Sequence, residues 1–184
     1  GHTVGTQIRV IPGTFRAAFL GDSHTEGWGV ANAETFENLL ESRMNREATF
    51  PAYRKIEFLN FAVGGYLPPQ EMMAFERKAL DFHPDVLFFV THPGDAERVA
   101  WHLAKAALNG WKSPYPYFQE LMDRAAITPE MKVQDGVRLL MPEADNGLAW
   151  IYNRVGDTCR EKGIRPVWIF LPSVPGKDEP GEFK

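Results

Sequence analysis

Gly21-Asp22-Ser23-His24 places a carboxylate, a hydroxyl and an imidazole side by side, directly after the apolar run Phe15 to Leu20. A serine at the end of a buried strand can attack an acyl carbonyl, and nearby backbone N–H groups can hold the oxyanion that forms. Gly21 permits a tight turn where a Cβ would clash. The same residues also read as a plain helix start, with Asp22 or Ser23 as its cap. On these four residues alone the two readings are even.

Two further stretches end apolar runs in the same way. Asn60-Phe61-Ala62-Val63-Gly64-Gly65-Tyr66 closes the run beginning at Ile56, and Thr91-His92-Pro93-Gly94-Asp95 closes Asp85 to Val90. Taken singly, the first is a Gly-Gly turn, and the second is a loop histidine with Asp95 as a helix cap. The single cysteine, Cys159, excludes an intramolecular disulfide. Its helical spacing from Leu148, Tyr152 and Val155 makes it a small buried hydrophobe rather than a catalytic thiol.

These candidates need a frame, and the pattern supplies one. Strands are expected at Phe15–Leu20, Ile56–Val63, Asp85–Val90 and Ile164–Leu171, with Pro166 at the start of the last. Helices are expected between them. Phe36–Arg46 carries Phe36, Leu39, Leu40 and Met44 on one side; a second opens at Pro68-Pro69 with the stripe Met72, Phe75, Ala79, Phe82 and stops at His83-Pro84. A third starts near Asp95 with Val99, Leu103 and Ala107 inward, and a fourth runs from Gly147 to Lys162 with Gly163 as its left-handed stop. Alternating strands and helices predict an α/β fold, a three-layer α/β/α sandwich with a parallel, flavodoxin-like sheet. In such sheets, sites lie beyond the carboxyl ends of the strands.

The 184 residues suit one domain. A net charge of −4 gives no electrostatic reason to expect nucleic acid or an anionic membrane as partner. No apolar run approaches the length of a membrane span, and there is no secretory core near the N-terminus. Gly1-His2 reads as a remnant of cloning, so the compartment stays open between cytoplasm and extracytoplasmic space. The histidines have no metal-ligand spacing and no Gly-rich phosphate loop is present, so neither metal nor cofactor is expected.

Phe19-Leu20-Gly21-Asp22-Ser23-His24-Thr25-Glu26-Gly27-Trp28-Gly29-Val30 closely resembles the first block of the GDSL/SGNH hydrolase superfamily. It matches every fixed position of the bacterial subset reading G-D-S-x-T-x-G-x-G-V. The resemblance continues in order through most of the chain and breaks the tie at Ser23. It implies an SGNH-type serine esterase, cleaving a carboxylic ester, such as an acetyl ester of a carbohydrate, with Ser23 as nucleophile. Gly65 falls on the position whose N–H helps form the oxyanion hole, together with the N–H of Ser23. The family's third block reads G-x-N-D; here Gly94 stands where its Asn should be, so the side-chain donor is missing, and His92 is the residue placed to compensate. Acyl transfer on the same scaffold, or non-catalytic ligand binding, are the alternatives.

The family's base is a histidine three residues after an aspartate, beyond a fifth strand. Position minus three is Gly21 for His24, Leu80 for His83, Phe89 for His92 and Val99 for His102, and His2 has none. The acid–base pair is therefore not found in this chain. The favoured expectation is a fragment, with a C-terminal segment beyond Lys184 completing the sheet and supplying the base. The rivals are an unusual base, His24 or His92, and lost catalysis.

Residues 110–146 break the strand–helix rhythm and form an expected helical insertion. It is dense in aromatics from Trp111 to Phe118, with helix starts at Ser113-Pro114 and Thr128-Pro129 and a loop from Gly136 to Asn146. It is expected either to cover the serine as a lid or to dock on the domain.

Overall fold

The computed structural model describes residues 11–47 and 51–172. His2 and most of the Pro-Gly-rich tail lie outside them. Four strands, β1 (Thr14–Leu20), β2 (Lys55–Asn60), β3 (Val86–Thr91) and β4 (Arg165–Phe170), form one parallel sheet in the order β2-β1-β3-β4. The chain steps from β1 to one side, then returns to the other for β3. The crevice beyond the ends of β1 and β3 is therefore the topological switch point.

Among the described residues, seven α-helices accompany the sheet: α1 (Ser23–Glu26), α2 (Phe36–Glu47), α3 (Pro68–Arg77), α4 (Asp95–Leu108), α5 (Pro116–Ala125), α6 (Val133–Leu140) and α7 (Ala144–Lys162). Strand residues alternate between two cores, as a period of two requires. Ala18, Leu20, Leu87 and Phe89 join Met72 and Phe75 of α3, Val99 and Leu103 of α4, and Ile151, Val155 and Cys159 of α7. Ala17, Phe19 and Val86 form the smaller cluster on the opposite face, where Phe36 of α2 meets Phe19 edge to face. Helices thus lie on both faces of the sheet, in the expected three-layer arrangement. Gly163 ends α7 at φ 69°, and Cys159 is buried and unpaired with another cysteine.

Three expectations fail in informative ways. The stripe on α2 is largely left outside the core: Phe36 touches Phe19 but is 40% exposed, and Leu39 and Leu40 are 56% and 42% exposed. The helix instead turns Glu37, Glu41 and Asn45, spaced four apart, toward β2. Glu41 Oε2 accepts the Phe58 N–H (2.6 Å), Asn45 bonds both the N–H and the carbonyl of Ile56, and Glu37 Oε1 accepts from Asn60 (2.7 Å). These polar groups satisfy the outer edge of β2, a demand no helical period reveals.

The second failure is the end of β2, at Asn60 rather than Val63. The Asn60 side chain takes the Ala62 N–H and donates to Thr25 O and Glu37, so the regular strand stops there, although the Phe61 and Val63 N–H groups still reach Phe19 O and Gly21 O. Third, the stretch from Gly136 to Asn146 is not a loop, because α6, a short 3-10 turn and the start of α7 occupy it. The helix starts at Ser113-Pro114 and Thr128-Pro129 are also displaced, to Pro116 and Val133. Ser113 Oγ accepts the Tyr115 N–H before α5 begins, and Thr128 to Met131 closes a separate turn.

The inverted α2 is testable by urea denaturation. Asn45→Ala should cost about 1 kcal/mol through its lost bonds to Ile56. Leu39→Ser, on the exposed face, should stay within about 0.5 kcal/mol of the parent.

Candidate active site

Ser23 is the first residue of α1, and the turn that delivers it is tightly packed. At Gly21 a Cβ would collide with Thr25 Oγ1 and lie 2.8 Å from Thr25 Cβ, so only glycine lets β1 pass directly into α1. Asp22 caps α1 by accepting the His24 N–H at 3.0 Å. Ser23 itself is half-buried at one end of an open groove of about 690 Å³, whose walls include Trp28, Val30 and Phe36.

The loop after β2 lies against this turn. Val63 to Tyr66 closes a β-turn with a 3.0 Å bond, and Gly65 at its third position has φ 81°, a conformation that favours glycine. Glu26 Oε2 accepts the Gly64 N–H (2.7 Å), and a Cβ on Gly64 would stand 3.6 Å from Ser23 Cβ. Gly64 is thus the closer glycine to Ser23, but its N–H is already taken. The N–H groups of Ser23 and Gly65 have no acceptor among the described residues.

The loop after β3 arrives from the other side. Asp95 Oδ2 accepts the His92 N–H (2.9 Å), so Asp95 organises the loop from the first turn of α4 while Gly94 takes the N-cap position. Gly94 has φ 82°, and a Cβ there would meet nothing within 4 Å, leaving open space at the third-block position. The His92 ring turns toward the first turn: its Nε2 lies 3.4 Å from Asp22 Oδ1, and its ring centroid is 5.2 Å from that of His24. His24 Nδ1 lies 3.1 Å from the same Asp22 oxygen. His83 stands before β3, at its amino end, and takes no part.

Arg98, which sequence reasoning passed over, ties these loops together. Its guanidinium donates to Asp22 Oδ2 (2.9 Å) after β1, Tyr66 O (2.9 Å) after β2 and Asp95 Oδ1 (3.0 Å) at the start of its own helix. The available signal was its place three residues after Asp95, where a first-turn helix cation meets a first-turn acid. Burial alone would raise the Asp22 carboxyl, but the adjoining His92 ring and the His24 N–H outweigh it and hold the group well below the usual carboxylate range. Burial raises Asp95, against the opposing His92 N–H and Arg98.

Glu71 was also missed, although a carboxylate four residues before Phe75 sits on the inward stripe of α3. It is buried, and its Oε2 has no hydrogen-bond partner among the described residues. Burial pushes its carboxyl well above the ordinary value; Arg98 opposes that shift, and Asp95 and Asp22 add to it.

The aromatic insertion is packed elsewhere. Tyr115 and Phe118 are buried in the larger core with Trp150, and the Tyr115 hydroxyl donates to Glu76 Oε2 (2.6 Å). Trp111 meets His102. The walls of the groove beside Ser23 come from residues 23 to 36 instead.

Among solved structures, the chain is similar to TesA, with 13% identity, 82% of this chain and 76% of that chain covered, and a TM-score of 0.37. It is also similar to a GDSL-like lipase from Bacteroides thetaiotaomicron, with 14% identity, coverage of 83% and 67%, and a TM-score of 0.31. No family model matches the sequence, and no curated protein matches it.

Two outcomes follow from the charge arrangement. Arg98→Ala leaves two carboxylates without their shared cation and should destabilise the fold by about 3 kcal/mol or more in urea, with Arg98→Lys recovering only part. Glu71 has a raised folded pKa, so its contribution is complete below the unfolded value of about 4.3 and is lost as pH rises through the folded value. Glu71→Gln should therefore match the parent's urea midpoint at low pH and exceed it above neutrality.

Proposed function

We propose that this chain is an acyl hydrolase of the GDSL/SGNH type that cleaves a carboxylic ester, with Ser23 as nucleophile. The observation that supports it most is the meeting of three loops, one from each of β1, β2 and β3, around a serine at the switch point of a parallel sheet. In the proposed reaction, Ser23 Oγ attacks the ester carbonyl carbon and the carbonyl electron pair moves onto oxygen. The N–H groups of Ser23 and Gly65, which have no other acceptor among the described residues, receive that oxyanion. Collapse of the intermediate releases the alcohol, and water then frees the acid from the acylated serine.

At the third-block position Gly94 contributes no side chain, so His92 is the remaining candidate for a third donor there. The apolar walls of the groove, Trp28, Val30 and Phe36, suit an acyl chain or the face of a sugar ring.

The serine needs a base that accepts its proton and returns it to the leaving alcohol. His24 and His92, the imidazoles at this end of the sheet, are both turned to Asp22. That engagement favours a second reading, a non-catalytic pocket that binds the ester without cleaving it.

A short-chain ester assay separates the two. Under the hydrolase reading Ser23→Ala lowers kcat/KM by a factor on the order of 10³ or more. Equal rates in parent and variant, or no turnover in the parent despite saturable ester binding, would overturn it.

A further inference from the structure

We propose that Asp22, His24 and His92 form a binding site for a zinc ion. The inference neither uses Ser23 nor depends on ester hydrolysis. One ligand atom from each of the three lies within 4.8 Å of the others, and Asp22 Oδ1 faces His24 Nδ1 and His92 Nε2. Zinc–nitrogen and zinc–oxygen bonds close to 2 Å place neighbouring ligand atoms of a tetrahedron about 3.3 Å apart. Two of the three separations here, 3.1 and 3.4 Å, match that edge. The His24 side chain is 70% exposed, so rotation of its ring closes the third edge and gives the ion an entry path.

The polar accounting points the same way. His92 Nε2 is buried and, though 3.4 Å from Asp22 Oδ1, has no hydrogen-bond partner among the described residues. A buried ring nitrogen without a partner is costly, and a cation between it and Asp22 satisfies both atoms. Asp22 Oδ1 accepts the His24 N–H and also faces His24 Nδ1, so a bound ion takes the place of that second contact, with His24 Nδ1 turning from the oxygen to the metal. Arg98 holds the other carboxylate oxygen, Oδ2, which orients Asp22 in the way an outer-shell partner orients a metal ligand.

The charge balance also accommodates a dication. Arg98 is shared between Asp22 and Asp95, so this trio carries one net negative charge rather than none. Each imidazole would bind as the neutral ring, with its proton on the other nitrogen. Two nitrogens and one oxygen suit zinc and its transition-metal neighbours, whereas magnesium and calcium prefer oxygen alone. Three protein ligands leave the fourth position to water. The sequence concealed the set because His92 is far from the other two, and the fold brings β1 and β3 together.

The full chain, stripped with chelator, is titrated with Zn²⁺ against a fluorescent zinc indicator, and with Co²⁺ followed by its visible d–d bands. One equivalent of zinc is expected, with intense four-coordinate cobalt bands and no displacement by excess Mg²⁺. His24→Ala, at an exposed position, keeps the fold by circular dichroism and should weaken binding by at least about tenfold; His92→Ala should do the same. His2→Ala and His83→Ala should bind as the parent does. Absence of binding, unchanged affinity in folded His24→Ala, or loss of binding in His2→Ala would overturn the site. Zinc binding without ester turnover would keep this site and sink the hydrolase reading; turnover without zinc binding would do the reverse.

Discussion

The candidate site depends on one largely buried cation. Arg98 rises from the first turn of α4 and reaches the turn after β1 and the loop after β2, while its bond to Asp95 braces the helix start that holds the loop after β3. The loop after β2 is joined to the turn after β1 by the Val63 N–H to Gly21 O bond and by Glu26, and Arg98 adds the start of α4 to that pair. The guanidinium is planar and presents several donors in fixed directions, so satisfying three acceptors at once sets the mutual positions of the loops. Its side chain is only 18% exposed, so its charge is weakly screened by water. Asp22 and Asp95 in turn make its burial tolerable.

Much of this frame was legible in the sequence. Buried strands announced themselves as apolar runs stopped by glycine, and the tight Gly21 turn followed from the abrupt change at Leu20. The left-handed stop at Gly163 and the burial of Cys159 are local matters, decided by residues within a turn or two. What stayed hidden was long-range polar complementarity. Arg98 looks like any helix-surface arginine until Asp22 and Tyr66 are brought beside it. Glu71 interrupts an apolar stripe, a visible signal, but its meaning depends on the charges gathered around it by the fold.

The orientation of α2 has the same cause. An apolar stripe predicts which face a helix buries when the alternative is water. Here the alternative was a row of unpaired backbone groups on β2, and Glu37, Glu41 and Asn45 answer it more specifically than Leu39 or Leu40 can. The position of the aromatic insertion is also set by its partners: Tyr115 is fixed by a hydroxyl bond to Glu76, which Arg154 holds from α7.

The side-chain seal on β2 gives the sheet a polarity of growth. An incoming strand finds the β2 margin occupied by carboxylate and amide groups, while the outer margin of β4, with Trp168 and Phe170 exposed, carries no such seal among the described residues. Among the described residues, strand addition to this sheet is therefore open at β4 and closed at β2.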